Sequence, residues 1–174
     1  AKKCIESWRK YFPGYDIKEW NEDNFDVNII KYTQDAYNAK KYAFVSDFAR
    51  IWILYNYGGI YFDTDVEVIA PMTDIVDNGP YMGFEIDPQN SIQYAVAPGL
   101  GIATTIGSNI YKQILDVYSN LDFWDTGKIN PYAIVKITTD VLTKNGLKNT
   151  PGIQIIRGIS IYPSEYFNPL DSLT

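Results

Sequence analysis

The chain has 174 residues and a mass of 19.9 kDa, one domain's worth of sequence. With 46% hydrophobic and 21% charged residues it is globular rather than disordered. Its net charge of −6 is the reverse of a nucleic-acid binder's balance. The absence of histidine removes zinc-hydrolase motifs, Ser-His-Asp triads and Cys-His pairs together. The single cysteine, Cys4, cannot form an internal disulfide. No apolar run of about 18 residues is present, so no membrane-spanning helix is expected. Aromatics, at 16%, suit either a sugar- or nucleotide-handling surface or a plain core.

In chain order, Cys4, Ile5, Trp8, Tyr11 and Phe12 recur at helical spacing, and Pro13-Gly14 stops that first helix. Tyr15 to Trp20 reads as a short strand, Asn21 to Asp26 as an acidic loop, and Ile29 to Lys41 as partly helical. Ala43 to Tyr57 predicts a long apolar helix ended by Gly58-Gly59. Ile60 to Ile69, β-branched and aromatic, predicts a strand, and Pro71 begins a connection. Tyr81 to Ile86 and Ser91 to Ala97 are further strands, and Pro98 to Gly107 is a Gly-rich loop. Ser108 caps a helix from Asn109 to about Ser119. Pro131 opens another, Tyr132 to Lys144, closed by Asn145-Gly146, and Ile153 to Tyr162 is a late strand. Helices alternating with strands predict an α/β fold with a mixed sheet.

The informative stretch is Ser46 to Glu67, SDFARIWILYNYGGIYFDTDVE. Its helix is apolar around nearly the whole circumference, which predicts burial. Ser46, Asp47 and Arg50 interrupt it on one narrow face. A buried carboxylate and guanidinium need partners. Two readings stay open: an internal Asp47–Arg50 ion pair that also caps the helix, or a polar stripe facing a ligand. If the following strand stays extended, Tyr61, Asp63, Asp65 and Glu67 share one face. Asp63 and Asp65 are then about 6.6 Å apart along the backbone. Three carboxylates on one face repel, and a divalent cation would relieve them; the alternative is a solvated acidic strand end. The sequence lacks the glycine and the further acidic position of a twelve-residue calcium loop. Magnesium or manganese needs only one or two carboxylates when a diphosphate supplies the other oxygens.

At these residues the sequence resembles the DXD glycosyltransferases of family 32, the capsular-polysaccharide and fungal-type mannosyltransferase group. It also resembles the sugar-transferring domains of large clostridial toxins. The resemblance is carried by Ser46-Asp47, Arg50, Tyr57-Gly58-Gly59-Ile60-Tyr61 and Asp63-Thr64-Asp65. Ser7 to Asn21, Asn130-Pro131 and Ile159 to Pro169 agree more loosely. It implies a GT-A-type nucleotide-binding sandwich over residues 1–174, one catalytic domain, incomplete at both ends: the family's first strand and its C-terminal His segment have no counterpart. It further implies metal-dependent transfer of a sugar from a nucleotide-sugar donor to a saccharide acceptor hydroxyl, with retention. By resemblance Asp65 binds Mn²⁺ or Mg²⁺ and Asp63 contacts the metal or the ribose. Asp47 and Arg50 grip the donor sugar as the catalytic pair, and Ser46 and Tyr61 complete the donor site.

Weaker signals are expected to be structural. Gly99-Leu100-Gly101 lacks the lysine of a phosphate loop and reads as a turn near the acceptor. Trp52 belongs to the core, while Trp20 and Trp124 are candidate sugar platforms. Cys4 reads as a small buried residue. Twelve Lys against three Arg, with abundant Ile, Asn and Tyr, suggests an AT-rich bacterial genome. That places the expected enzyme in the bacterial cytoplasm, at or near the inner membrane surface, on surface-polysaccharide precursors. The competing functions are a non-catalytic carbohydrate- or cation-binding module and a folded but inert fragment.

Overall fold

The computed structural model describes residues 1–88 and 93–168. Three helices come first: α1 (Lys2–Tyr11), α2 (Lys31–Asn38) and α3 (Tyr42–Tyr57). Tyr15 to Trp20, expected as a strand, has no regular structure, and Tyr15 and Ile17 are exposed. α3 is buried as its apolar circumference requires, packed by α2 on one side and by α5 (Asn109–Ser119) on another. The remaining helices are the short α4 (Thr73–Asp77) and α6 (Ile134–Lys144), which starts two residues later than expected.

The main sheet runs β1 (Gly59–Tyr61), β4 (Ile102–Thr104), β2 (Tyr81–Ile86), β8 (Ile159–Tyr162), β7 (Gln154–Ile156), and β3 (Ala95–Val96) pairs with β2. Among the described residues only β2 and β8 are parallel; every other pairing is antiparallel. The architecture is thus α/β with a mixed sheet, consistent with part of a GT-A-like fold. A separate hairpin joins β5 (Trp124–Asp125) to β6 (Lys128–Ile129).

Alternation along β2 divides the core. Met82 and Phe84 point toward α2, α3, α5 and α6, joining Phe48, Ile51, Ile114, Ile137 and Ile161 in the larger cluster. Tyr81 points to the opposite face, with Ala103, Tyr162, Val68 and Met72, and is covered by Trp8 and Phe12 around α1 and by Phe167. Among the described residues no helix is long and apolar enough to cross a membrane.

Further expected elements differ. The predicted Ile60 to Ile69 strand leaves the sheet after Tyr61. A turn follows, closed by the Val66 N–H donating to the Asp63 carbonyl at 3.0 Å. Beyond it, α1 satisfies the backbone that a strand neighbour would otherwise have satisfied. Trp8 Nε1 donates to the Val66 carbonyl (2.9 Å), Val68 N–H to Ser7 Oγ (2.9 Å), and Tyr11 OH to the Ile69 carbonyl (3.0 Å). The Gly-rich Pro98 to Gly107 segment contains β4, which lies between β1 and β2. The late strand is the hairpin β7–β8, turned by Arg157 and Gly158, both at positive φ (50° and 83°). Of the expected Ser91 to Ala97 strand, Ser91 and Ile92 lie outside the described residues, and β3 covers only Ala95–Val96.

Candidate functional site

The site begins with how α3 ends. Gly58 has φ 66° and ψ −172°, a region essentially closed to residues with a Cβ. A Cβ there would also meet the Thr104 carbonyl oxygen and the Ile106 nitrogen, each at 3.2 Å. Glycine therefore lets the chain reverse tightly from α3 into β1 and run beside β4. The reversal returns Asp63 alongside Arg50, thirteen residues earlier in the chain.

Arg50 is the centre. Only 5% of it is exposed, and each polar end of its guanidinium has a partner. Nη1 meets Asp63 Oδ2 at 3.2 Å and Nη2 meets Asp63 Oδ1 at 3.1 Å, a two-pronged clasp. Nη2 also pairs with Asp47 Oδ1 at 3.0 Å, one turn back on α3. Nε donates to the Ser46 carbonyl at 3.2 Å. The Ser46 hydroxyl donates to the Ala43 carbonyl at 2.7 Å and lies 3.5 Å from Nη2, so here Ser46 buttresses the guanidinium. Tyr61 completes the wall. Its hydroxyl donates to Asp63 Oδ1 at 2.8 Å, and its ring lies 5.2 Å from the Arg50 Cζ. Burial pushes the Tyr61 hydroxyl well above its usual range, so it stays a donor at neutral pH.

Of the two readings of the Asp47–Arg50 pair, the ion pair exists and extends to Asp63, but it does not cap the helix: α3 has Lys41 at its N-cap and no side-chain capping hydrogen bond. One cation thus serves two carboxylates, and they are not equally placed. Asp47 has the more buried side chain, 16% exposed against 31% for Asp63. Burial pushes its carboxyl up to about 6; Arg50 opposes the rise, and the Asp63 charge adds to it. The acidic run itself, Asp63 to Glu67, follows the end of β1. Within that run, the turn breaks the alternation that would put three acids on one face. Glu67 pairs with Lys3 at 2.8 Å and Asp63 with Arg50, while Asp65 is exposed at the turn. Among the described residues Asp65 has no hydrogen-bond or ion-pair partner.

This donor set fits a hard divalent cation. The carboxylates of Asp63 and Asp65 are hard oxygen ligands, and Asp65 is unengaged. With all three acids ionised, Asp47, Asp63 and Asp65 against Arg50 leave a formal charge of −2. No group of three acidic or cysteine ligands converges among the described residues, so the chain supplies only part of a coordination shell. A diphosphate is the kind of ligand that completes such a shell.

The packing of Gly99 against the ion pair escaped the sequence reading. Gly99 lies in the 3₁₀ turn Pro98–Leu100, and a Cβ on it would stand 2.5 Å from Asp63 Oδ2 and 3.0 Å from Arg50 Nη1. The segment expected as a turn near the acceptor packs directly on the ion pair. Only the absence of a side chain there could have signalled this. Two shallow depressions, about 370 and 200 Å³, lie elsewhere, around α1 and between Phe12 and α4. Neither includes a residue of the Arg50 cluster. The aromatic expectations divide. Trp52 packs on the core as expected. Trp20 is half-buried against Tyr57 with Lys18 over its ring at 4.0 Å, and Trp124 is 44% exposed on the β5–β6 hairpin. Cys4 is buried.

Residues 1–82 match the model of a family described as "Glycosyltransferase sugar-binding region containing DXD motif". The matched stretch contains Ser46, Asp47, Arg50, Tyr61, Asp63 and Asp65. The match supports a transferase that takes a sugar donor and an acceptor as the activity class. A comparison with curated proteins gives no match.

Proposed function

We propose that the chain is the catalytic domain of a metal-dependent glycosyltransferase that moves a sugar from a nucleotide-diphosphate sugar to an acceptor hydroxyl. The observation that carries this reading is the buried Arg50 clasping Asp47 and Asp63 beside the unpartnered carboxylate of Asp65. A structural ion pair needs no third, exposed acid next to it; a diphosphate–metal site does. The family match over residues 1–82 supports the same reading.

In this account Asp65 and Asp63 hold Mn²⁺ or Mg²⁺, which when bound supplies positive charge to the leaving nucleoside diphosphate. Arg50 fixes the Asp63 carboxylate through both oxygens, so that ligand is positioned before the donor arrives. Asp47, ionised above pH about 6, accepts hydrogen bonds from donor-sugar hydroxyls. Arg50 keeps Asp47 and Asp63 in place for the donor sugar. Tyr61 holds Asp63 by its protonated hydroxyl and walls the donor pocket, and Ser46 keeps Arg50 in place. Retention, transfer of a hexose, and a role in bacterial surface polysaccharide made on the cytoplasmic side belong to the same proposal.

The test is turnover of a panel of nucleotide sugars, read as hydrolysis or transfer, with manganese and with chelator. The reading predicts turnover with manganese, loss with chelator, and at least a roughly hundredfold loss in Asp65→Ala. Turnover by Asp65→Ala at the wild-type rate would contradict it. Stabilisation by free sugar or calcium alone, with no turnover, would favour a binding module instead.

A further inference from the structure

Glycines are kept for two different reasons, and Gly99 shows the less common one. Its backbone lies outside the positive-φ region, unlike that of its neighbour Gly101 at φ 130°. Alanine could adopt the Gly99 conformation without strain. What excludes a side chain is space: the added Cβ would fall 2.5 Å from Asp63 Oδ2 and 3.0 Å from Arg50 Nη1. The first distance is far inside van der Waals contact. The buried Arg50 cannot retreat, being tied to Asp47 and to the Ser46 carbonyl. The group that would yield is the Asp63 carboxylate, a short side chain that is still partly exposed.

We propose that Gly99 is a positioning residue: the bare turn Pro98–Leu100 closes over the Arg50–Asp63 pair and keeps the carboxylate docked on the guanidinium through both oxygens. Pro98 is buried, which anchors the turn from behind. Any side chain at position 99 levers Asp63 off Arg50 and away from the 2.8 Å hydroxyl of Tyr61. The wall therefore comes from a segment more than thirty residues beyond the acidic motif, on the far side of β2 and β3. The consequence for ligands rests on the function proposed above: an Asp63 released from Arg50 no longer presents its oxygens to a metal diphosphate in one fixed position.

A double-mutant cycle tests the steric claim without reference to sugar transfer. Gly99→Ala is made in the wild type and in Asp63→Ala, which removes the obstructing oxygen. Gly99→Ala alone is expected to lower the thermal midpoint by about 3–6 °C and in Asp63→Ala by less than about 1 °C. A drop of the same size in both backgrounds, or none in the wild type, overturns the proposal. If Gly99→Ala alone does not fold, recovery of folded protein in the double variant supports the proposal, and failure of both overturns it. The functional consequence is read separately, as affinity for nucleoside diphosphate with manganese, with a loss of at least roughly tenfold expected in Gly99→Ala. If the wild type binds no nucleotide, the proposed function fails while the stability cycle still decides the role of Gly99. A stability coupling with unchanged nucleotide affinity keeps the packing and overturns the positioning role.

Discussion

At the residue scale the controlling fact is that one guanidinium neutralises two carboxylates of unequal burial. Asp47, the deeper of the two, keeps its proton up to about pH 6 in the folded protein, against an ordinary value of 3.8. The folded state therefore holds a proton between these values that the unfolded chain has released. Stability contributed by this group is present below pH 3.8 and falls as pH rises toward and through 6. The full effect is on the order of 2–3 kcal/mol. Urea unfolding of wild type and Asp47→Asn across pH 4–7 reads it as a difference. The wild type is expected to lose stability relative to the variant as pH rises through 4–6. A constant difference across that range would show that Asp47 ionises normally. Arg50 gives a second expectation at this scale. Arg50→Met keeps the stem but leaves two partly buried acids without their cation. It should cost about 3 kcal/mol or more by denaturant unfolding. A loss under about 1 kcal/mol would mean that solvent already carries the charge of both carboxylates.

At the element scale the site depends on the α3–Gly58–β1 reversal. Gly58→Ala places a Cβ in a glycine-only conformation and against the β4 backbone. It should cost about 1–3 kcal/mol in thermal or denaturant unfolding. An unchanged midpoint would mean that the turn relaxes freely and does not fix Asp63. This scale also separates what the sequence could tell from what it could not. α3 was legible because a nearly continuous apolar circumference predicts a buried helix, and Gly58-Gly59 marked its end. β2 was legible from end to end. The run Ile60 to Ile69 was not, because β-branched residues suit any extended backbone, and whether its partner is a strand or the side chains of Ser7, Trp8 and Tyr11 is a tertiary matter. β4 is three residues flanked by glycines, too short to show alternation. The pairing of Arg50 with Asp47 was one of the two readings that helical spacing left open. Its clasp on Asp63 was beyond sequence reasoning, because the strand model sent Asp63 to a shared acidic face.

At the scale of the whole molecule, a chain of net charge −6 sets two carboxylates on one arginine at the edge of a mixed sheet, with a third, Asp65, exposed two residues beyond Asp63. Self-repulsion makes such a cluster costly unless something cationic binds there. Helices on both faces of the sheet bury the arginine and two of the acids to different degrees, and leave the turn carrying Asp65 open. The fold thereby separates the buried ion pair from the exposed carboxylate of Asp65, to which the proposed function gives the role of metal ligand. Isothermal titration of a panel of nucleoside diphosphates, with and without manganese, into the wild type and Asp65→Ala tests that separation most directly. The account predicts nucleotide binding that requires manganese, weakened at least roughly tenfold in Asp65→Ala at an unchanged thermal midpoint, because the Asp65 side chain makes no hydrogen bond or ion pair among the described residues. Binding that ignores manganese, or an Asp65→Ala variant that binds as tightly as the wild type, would contradict it.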